Sequence, residues 1–265
     1  MIAFFALVTM AAVPAQAAEG LQKPGTHGPL NYLQSFGSPG HEIRQILLAL
    51  TWLSFAVVVI ITALVVIAIV RRGRRVEDMS ADTASVIGGD DTGALRWIYA
   101  GLVVTVVILL IFITWTVSIM AATQSPATRA VATIDVTGHQ WWWQVAYKDD
   151  NGATLFETAN EIRIPVGQPV RFVLRSADVI HSFWVPLLGG KTDMIPGQEN
   201  VAWLRADTAG IYRGQCVEYC GLQHAHMAFD LFALPPQEFD AWLAQQTKTA
   251  RNTAAPRAPQ ARRHP

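Results

Sequence analysis

The sequence has few charged residues and very little cysteine. Only 15% of its 265 residues are Asp, Glu, Lys or Arg, whereas 51% are hydrophobic, which is too apolar for a single soluble domain. The 20 basic and 20 acidic residues cancel, so no excess of positive charge favours a nucleic acid partner. No grouping of nucleophile, base and acid stands out, so the sequence gives no reason to expect acid, base or nucleophilic catalysis within this chain.

The only two cysteines, Cys216 and Cys220, lie in the run C-V-E-Y-C-G-L-Q-H-A-H-M. The same run contains Glu218, His224 and Met227. Two thiolates, an imidazole and a thioether form a soft ligand set, which suits copper and suits oxygen-seeking cations poorly. The run therefore indicates a protein that handles electrons.

Other interpretations of this run compete with copper. The two cysteines of an exported domain could form a disulfide. A zinc site could use both cysteines with His224 and His226, but it would leave Met227 unused. A mononuclear blue-copper site needs one Cys and two His. Two thiolates that bridge two coppers fit better, and each copper then needs its own imidazole.

Four segments resemble the subunit II proteins of haem-copper cytochrome c oxidases. The family pattern C-x-E-x-C-G-x-x-H-x-x-M is matched in full by residues 216–227. The other three segments follow the order of the family, and they are A-D-V-I-H-S-F-W-V-P, G-H-Q-W-W-W and G-K-T-D-M-I-P-G. The resemblance spans most of residues 130–235.

The resemblance implies a binuclear copper centre, CuA, in a cupredoxin-like Greek-key β-barrel. Its implied ligands are His181, Cys216, Glu218, Cys220, His224 and Met227. Both thiolates would bridge the coppers, each imidazole would bind one copper, and Met227 and the backbone carbonyl of Glu218 would complete the set. The carboxylate of Glu218 is also implied as a ligand to magnesium or manganese at the boundary with subunit I.

The aromatic segment, residues 138–143, is implied to lie between the copper and the surface where cytochrome c docks. Trp141 matches the position where electrons enter, whereas ordinary packing is an equal expectation for Trp142 and Trp143. Asp178 is expected beside His181 as a supporting or docking residue. Acidic candidates for the docking surface are Asp149, Asp150, Glu157, Glu161 and Asp178. His139 and His226 have no ligand role in the pattern.

Two long runs without charge predict two transmembrane helices, residues 46–70 and 97–122. Each exceeds the about 20 residues that cross about 30 Å of hydrocarbon. The connection, residues 71–96, is rich in arginine and is therefore expected in the cytoplasm. Both termini would then face outward, with the chain in a bacterial inner membrane.

Residues 1–17 resemble a signal peptide, because an apolar stretch precedes Ala15-Gln16-Ala17. Residues 18–45 are expected to form an extracytoplasmic arm. Residues 123–247 contain many short β-branched and aromatic runs, which predict an all-β copper domain. A helix is expected at residues 237–246, and a disordered tail at residues 248–265.

The resemblance therefore implies a membrane-anchored subunit that accepts electrons from cytochrome c. It would pass them to a haem in subunit I, with subunit III as a further partner. The copper subunit of a nitric oxide reductase and a membrane-tethered copper-delivery protein remain alternatives. The chain departs from the family before the second apolar run, where D-D-T-G-A-L-R-W-I-Y-A-G-L replaces a pattern like E-I-x-W-T-x-x-P. The residue at the mouth of a proton channel is therefore left open.

Overall fold

The computed structural model describes residues 33–76, 92–124 and 129–254. The predicted signal peptide, most of the predicted arm and cytoplasmic loop, and the last eleven residues lie outside this part of the chain. Two long helices, α1 (Ser38–Val76) and α2 (Thr92–Gln124), come first. A domain of ten strands, a short 3₁₀ helix (His224–His226) and one further α-helix follows.

Both long helices contain segments apolar enough to cross a membrane. These segments are Ser38–Arg71 and Leu95–Thr123, and their most apolar windows are 0% and 6% buried within the protein. A helix in the core of a soluble protein would be mostly buried, whereas these apolar side chains are exposed and suit a lipid environment. The helix α1 begins eight residues before the predicted apolar run at residue 46, because helical hydrogen bonding continues through its polar flank.

The β domain consists of two five-stranded sheets. In the first, the strand order is β3-β2-β1-β5-β8, and in the second it is β4-β10-β9-β6-β7. The strands are β1 (Ala132–His139), β2 (Trp142–Lys148), β3 (Thr154–Ala159), β4 (Glu161–Pro165), β5 (Val170–Ser176), β6 (His181–Trp184), β7 (Thr192–Met194), β8 (Asn200–Leu204), β9 (Gly210–Cys216) and β10 (Ala228–Leu234). Parallel pairs β1–β5 and β4–β10 occur within otherwise antiparallel sheets. The predicted fold class, two transmembrane helices followed by a cupredoxin-like Greek-key β-barrel, is confirmed as two long apolar helices followed by a domain of two packed sheets.

Buried and more exposed side chains alternate along the strands, so each sheet has an apolar face, and these two faces pack against one another. Ile134 and Val136 of β1 are fully buried, while Asp135 between them and Thr137 after them are more exposed. An aromatic cluster fills the space between the sheets near one end, where Phe183 stacks on Phe229 at 4.8 Å and Trp143 meets both rings edge-on. This cluster lies directly beside the candidate metal centre.

The last helix is longer than predicted. α3 spans Pro236–Ala254, so residues 248–254, which were expected to be disordered, are helical. Lys, Ala and Arg in this segment are good helix formers, and Ala250 packs against the core. Favourable propensity and the apolar contact of Ala250 extend the helix beyond the expected end.

The segment before α1 is fixed to the β domain. The backbone N–H of Phe36 donates to the carbonyl of Leu187 at 2.7 Å, and the N–H of Asp207 donates to the carbonyl of Phe36 at 2.7 Å. A Cβ on Gly37 would lie 2.6 Å from the carbonyl oxygens of Leu188 and Arg205, so only glycine fits there. The start of α1 is thereby anchored to the domain that carries the candidate metal centre.

Candidate metal centre

Three segments meet at one end of the β domain. They are the turn between β1 and β2, the start of β6 at His181, and the loop between β9 and β10. β6 and β9 are antiparallel neighbours, with Phe183 opposite Cys216. The loop closes on itself, because the N–H of Cys216 donates to the carbonyl of Met227 at 2.9 Å. The strand pairing therefore brings the distant His181 to the cysteine loop.

The structure brings the six predicted ligand residues together. The Sγ atoms of Cys216 and Cys220 lie 3.8 Å apart, and Nδ1 of His181 lies 3.8 Å from Cys216 Sγ. Nδ1 of His224 and Sδ of Met227 lie 3.6 and 3.7 Å from Cys220 Sγ. The carbonyl oxygen of Glu218 lies 3.2 Å from Cys216 Sγ.

The donor set fits a soft metal. The ligand atoms of His181, Cys216 and Cys220 all lie within 4.8 Å of one another, and both cysteines are free thiols. Their sulfurs are much farther apart than the about 2.05 Å of a disulfide. His181, Cys216, Cys220 and Met227 are 0%, 4%, 3% and 1% exposed. Sulfur and imidazole donors in a buried cluster favour copper over magnesium or calcium.

Asp178 orients the imidazole of His181. Its Oδ1 lies 2.8 Å from Nε2 of His181, which turns Nδ1 toward the thiols. Burial lowers the pKa of His181, but Cys216 and Asp178 outweigh it and raise the pKa above its ordinary value. Burial raises the pKa of Asp178, but bonds from His181 and from the N–H groups of Gln140 and Val179 lower it overall. Carboxylate and imidazole thus form a charge-assisted pair behind the candidate metal centre.

The two thiols differ in acidity. Burial raises the pKa of both, but the hydrogen bond with His181 lowers the pKa of Cys216 below its ordinary value. The nearby Cys216 thiolate adds to burial and raises the pKa of Cys220 further. Like charges this close oppose a second ionisation. A bound cation would therefore favour the state in which both sulfurs are thiolates.

The three tryptophans of the aromatic segment have different environments. Trp141 is half-buried, and its indole N–H donates to the carbonyl of Cys220 at 3.1 Å. Trp142 is 38% exposed and stacks on His139 at 4.5 Å. Trp143 is fully buried in the aromatic cluster. The packing expectation therefore holds for Trp143, while Trp141 alone of the three touches the cysteine loop through a hydrogen bond.

The predicted acidic residues are not gathered at the metal centre. Asp178 lies there and is bonded to His181. Asp149 accepts the N–H groups of Asn151 and Ala153 in the β2–β3 turn, at the opposite end of β2 from Trp142. Glu161 pairs with the buried Arg163 at 2.6 Å. These carboxylates take part in bonds of the domain itself.

Two residues outside the set predicted from the sequence also shape the centre. Gln140 donates its side-chain N–H to the carbonyl of Cys220 at 2.7 Å. A Cβ on Gly138 would lie 2.8 Å from Cδ2 of His181. A glycine inside a strand is a signal of close approach, and Gly138 carried that signal. His226 is exposed.

Comparison with known proteins agrees with the resemblance seen in the sequence. Residues 150–233 match the family described as Cytochrome C oxidase subunit II, periplasmic domain. Cytochrome c oxidase subunit 2 of Alkalihalophilus pseudofirmus is 50% identical over 110 residues, which are 42% of this chain and 31% of that protein. The probable cytochrome c oxidase subunit 2 of Rickettsia conorii is 38% identical over 142 residues, which are 47% of this chain and 45% of that protein.

Among solved structures, the periplasmic domain of subunit II of the cytochrome oxidase of Bradyrhizobium japonicum is similar to this chain. It shows 36% identity and a TM-score of 0.43, and the match covers 46% of this chain and 97% of that one. The chain spans about a third to a half of the length of the curated relatives it matches. On the sequence matches, residues 150–233 are similar to the periplasmic domain of cytochrome c oxidase subunit II, and the chain is similar to cytochrome c oxidase subunit 2 proteins over 42–47% of its length.

Proposed function

We propose that this chain is the subunit of a terminal haem-copper oxidase that accepts electrons from cytochrome c. The electrons would pass from a binuclear CuA centre to a haem in subunit I, where oxygen is reduced to water. The observation that carries this proposal is the convergence of two thiols, two imidazole Nδ1 atoms, a thioether and a carbonyl within one buried cluster. Copper bound there would supply a one-electron redox couple shared between two metal ions.

The protein would hold this centre on rigid elements. His181 and Cys216 lie at the ends of paired strands, and the loop between Cys216 and Met227 is closed by a backbone hydrogen bond. Burial excludes water, and fixed donors limit the change in bond lengths when the charge changes. Small rearrangement favours fast electron transfer at low driving force. Electrons would enter beside Trp141, whose indole N–H contacts the carbonyl of Cys220.

Burial also argues for a permanent site over a delivery site. A copper-delivery protein needs exposed ligands that exchange readily, whereas His181, Cys216, Cys220 and Met227 are almost completely buried. Glu218 is half-buried, and its carbonyl oxygen lies in this cluster; its carboxylate is free for a separate role. We propose that it binds magnesium or manganese at the boundary with subunit I, since both cations prefer oxygen ligands.

The two apolar helices would place the copper domain outside a bacterial inner membrane. The arginines between them favour a cytoplasmic loop, and the family match is to a periplasmic domain. The helices expose apolar side chains along their length, which gives subunits I and III, as well as lipid, a surface to pack against. Residues 123–247 would form the copper domain, and residues 1–17 remain a predicted signal peptide.

Spin resonance of the full chain in detergent tests the proposal. After loading with copper, one unpaired electron shared equally by two copper nuclei gives a seven-line hyperfine pattern, whereas a single copper gives four lines. Cys216→Ser should abolish the shared pattern, because one bridging sulfur is lost. Fewer than two coppers per chain in the wild type, or a shared pattern that survives in Cys216→Ser, would contradict the assignment. Oxygen and nitric oxide consumption by the purified complex distinguish an oxidase from a nitric oxide reductase.

A further inference from the structure

The turn between β1 and β2 touches both segments that carry the predicted metal ligands. The backbone N–H of Gln140 donates to Oδ2 of Asp178 at 2.7 Å, and the other oxygen of Asp178 bonds to His181. The side-chain N–H of Gln140 donates to the carbonyl of Cys220 at 2.7 Å. Gln140 therefore connects Asp178, which is bonded to His181, with the backbone of Cys220.

The carbonyl of Cys220 receives a second donor from the same turn. The indole N–H of Trp141 lies 3.1 Å from it, and a carbonyl oxygen can accept two hydrogen bonds. The next residue, Gly221, has a φ of 114°. A Cβ there would lie 3.1 Å from Nε2 of Gln140 and 3.2 Å from the ring of Trp141. Glycine thus permits both the backbone conformation and the close approach of the two donors.

We infer that Gln140 is a positioning residue for the metal centre, because it fixes the Cys220 backbone relative to the segment that holds His181. This inference rests on the proposed function, since it assigns a role toward the copper pair. Gln140 itself is exposed, so its side chain contributes little burial to the stability of the fold. Its effect is expected in the geometry and affinity of the centre, and groups that orient ligands typically change metal affinity by about 10- to 100-fold.

The experiment compares Gln140→Met with Gln144→Met in the full chain. Methionine keeps the length of glutamine but cannot donate. Gln144 provides a matched control, because its amide bonds to His139 and Glu157 on the outer face of the sheet. Copper affinity is measured by competition with a chelator, the centre by its hyperfine pattern, and the metal-free fold by thermal unfolding.

We expect Gln140→Met to weaken copper binding by about 10-fold or more and to alter the hyperfine splitting, while Gln144→Met changes neither. Thermal unfolding of the metal-free chain should be the same in both variants. Equal affinity and identical spectra in the two variants would overturn the inference, and this is also the result expected if Gln140 served only to contact a docking partner. If Gln140→Met does not fold, Gln140→Asn withdraws the amide by one methylene and is subject to the same criteria. Failure of the proposed function is distinguishable, because the wild type itself would then bind fewer than two coppers.

Discussion

Replacing Gly138 by alanine should disturb the metal centre through a single contact. A Cβ at this position would lie 2.8 Å from Cδ2, 3.0 Å from Cγ and 3.3 Å from Cβ of His181. Carbon atoms normally approach to about 3.5–4.0 Å. The imidazole, or the strand behind it, must therefore move by roughly 0.7 Å or more to accept the methyl group.

The size of this movement decides the outcome. Metal–ligand distances are defined to within about 0.2 Å, so the displacement is several times what a metal centre tolerates. His181 cannot evade the contact easily, because it is fully buried and its Nε2 is bonded to Asp178. Overpacking of this kind costs about 1–3 kcal/mol of folding free energy. The domain should remain folded after that loss of stability, whereas Nδ1 of His181 should be displaced.

Copper content and the hyperfine pattern of the full chain provide the assay. Gly152→Ala is a suitable control, because Gly152 has a φ of 82° with open space around it and lies in the turn at the far end of β2. A non-glycine residue in that conformation costs about 1–3 kcal/mol, which matches the expected destabilisation. Gly138→Ala should bind copper more weakly and change the pattern, whereas Gly152→Ala should only unfold at lower temperature. An unchanged pattern in Gly138→Ala would refute the close packing behind His181.

Two further predictions concern the core and proton release. Tyr147→Phe removes the hydroxyl that accepts the N–H of Arg163 at 2.7 Å and donates to its carbonyl at 3.0 Å. Because two buried backbone groups lose their partner, the free energy of unfolding measured with denaturant should fall by about 1–3 kcal/mol. An unchanged unfolding midpoint would contradict these bonds. Because the raised pKa of Cys220 keeps this thiol protonated at neutral pH, copper binding should release its proton and weaken as the pH falls. Titration of the chain with copper in weak buffer measures the proton release. A copper affinity that does not depend on pH would contradict this prediction.

The sequence predicted the helices well and their ends poorly. Charge-free runs mark the exposed apolar segments, yet helical hydrogen bonds do not stop where apolar side chains stop. α1 accordingly begins at Ser38, and α3 continues to Ala254. Backbone propensity and single contacts such as that of Ala250 set these ends. Composition alone could not reveal them.

The candidate ligands were predictable to different degrees. Five of the six lie within one run of twelve residues, where spacing and residue type indicate a soft metal. His181 was assigned only through the resemblance, because its approach to the cysteines depends on strand pairing. The role of Gln140 could not be predicted from the sequence, since its partner Cys220 lies 80 positions away in the chain. Hydrogen bonds between distant loops leave no periodic signal in a sequence.

Strand register connects the aromatic core to the metal centre. His181 and Phe183 lie on the same face of β6, because side chains alternate along a strand, and Cys216 of β9 is directly opposite Phe183. A slip of one residue would turn His181 away from the thiols. Phe183 opposes such a slip, because its ring stacks on Phe229 and meets Trp143 edge-on inside the core. The geometry of the candidate ligands is therefore maintained by apolar side chains that are not themselves candidate ligands, and core substitutions at Phe183 should perturb the candidate centre before they unfold the domain.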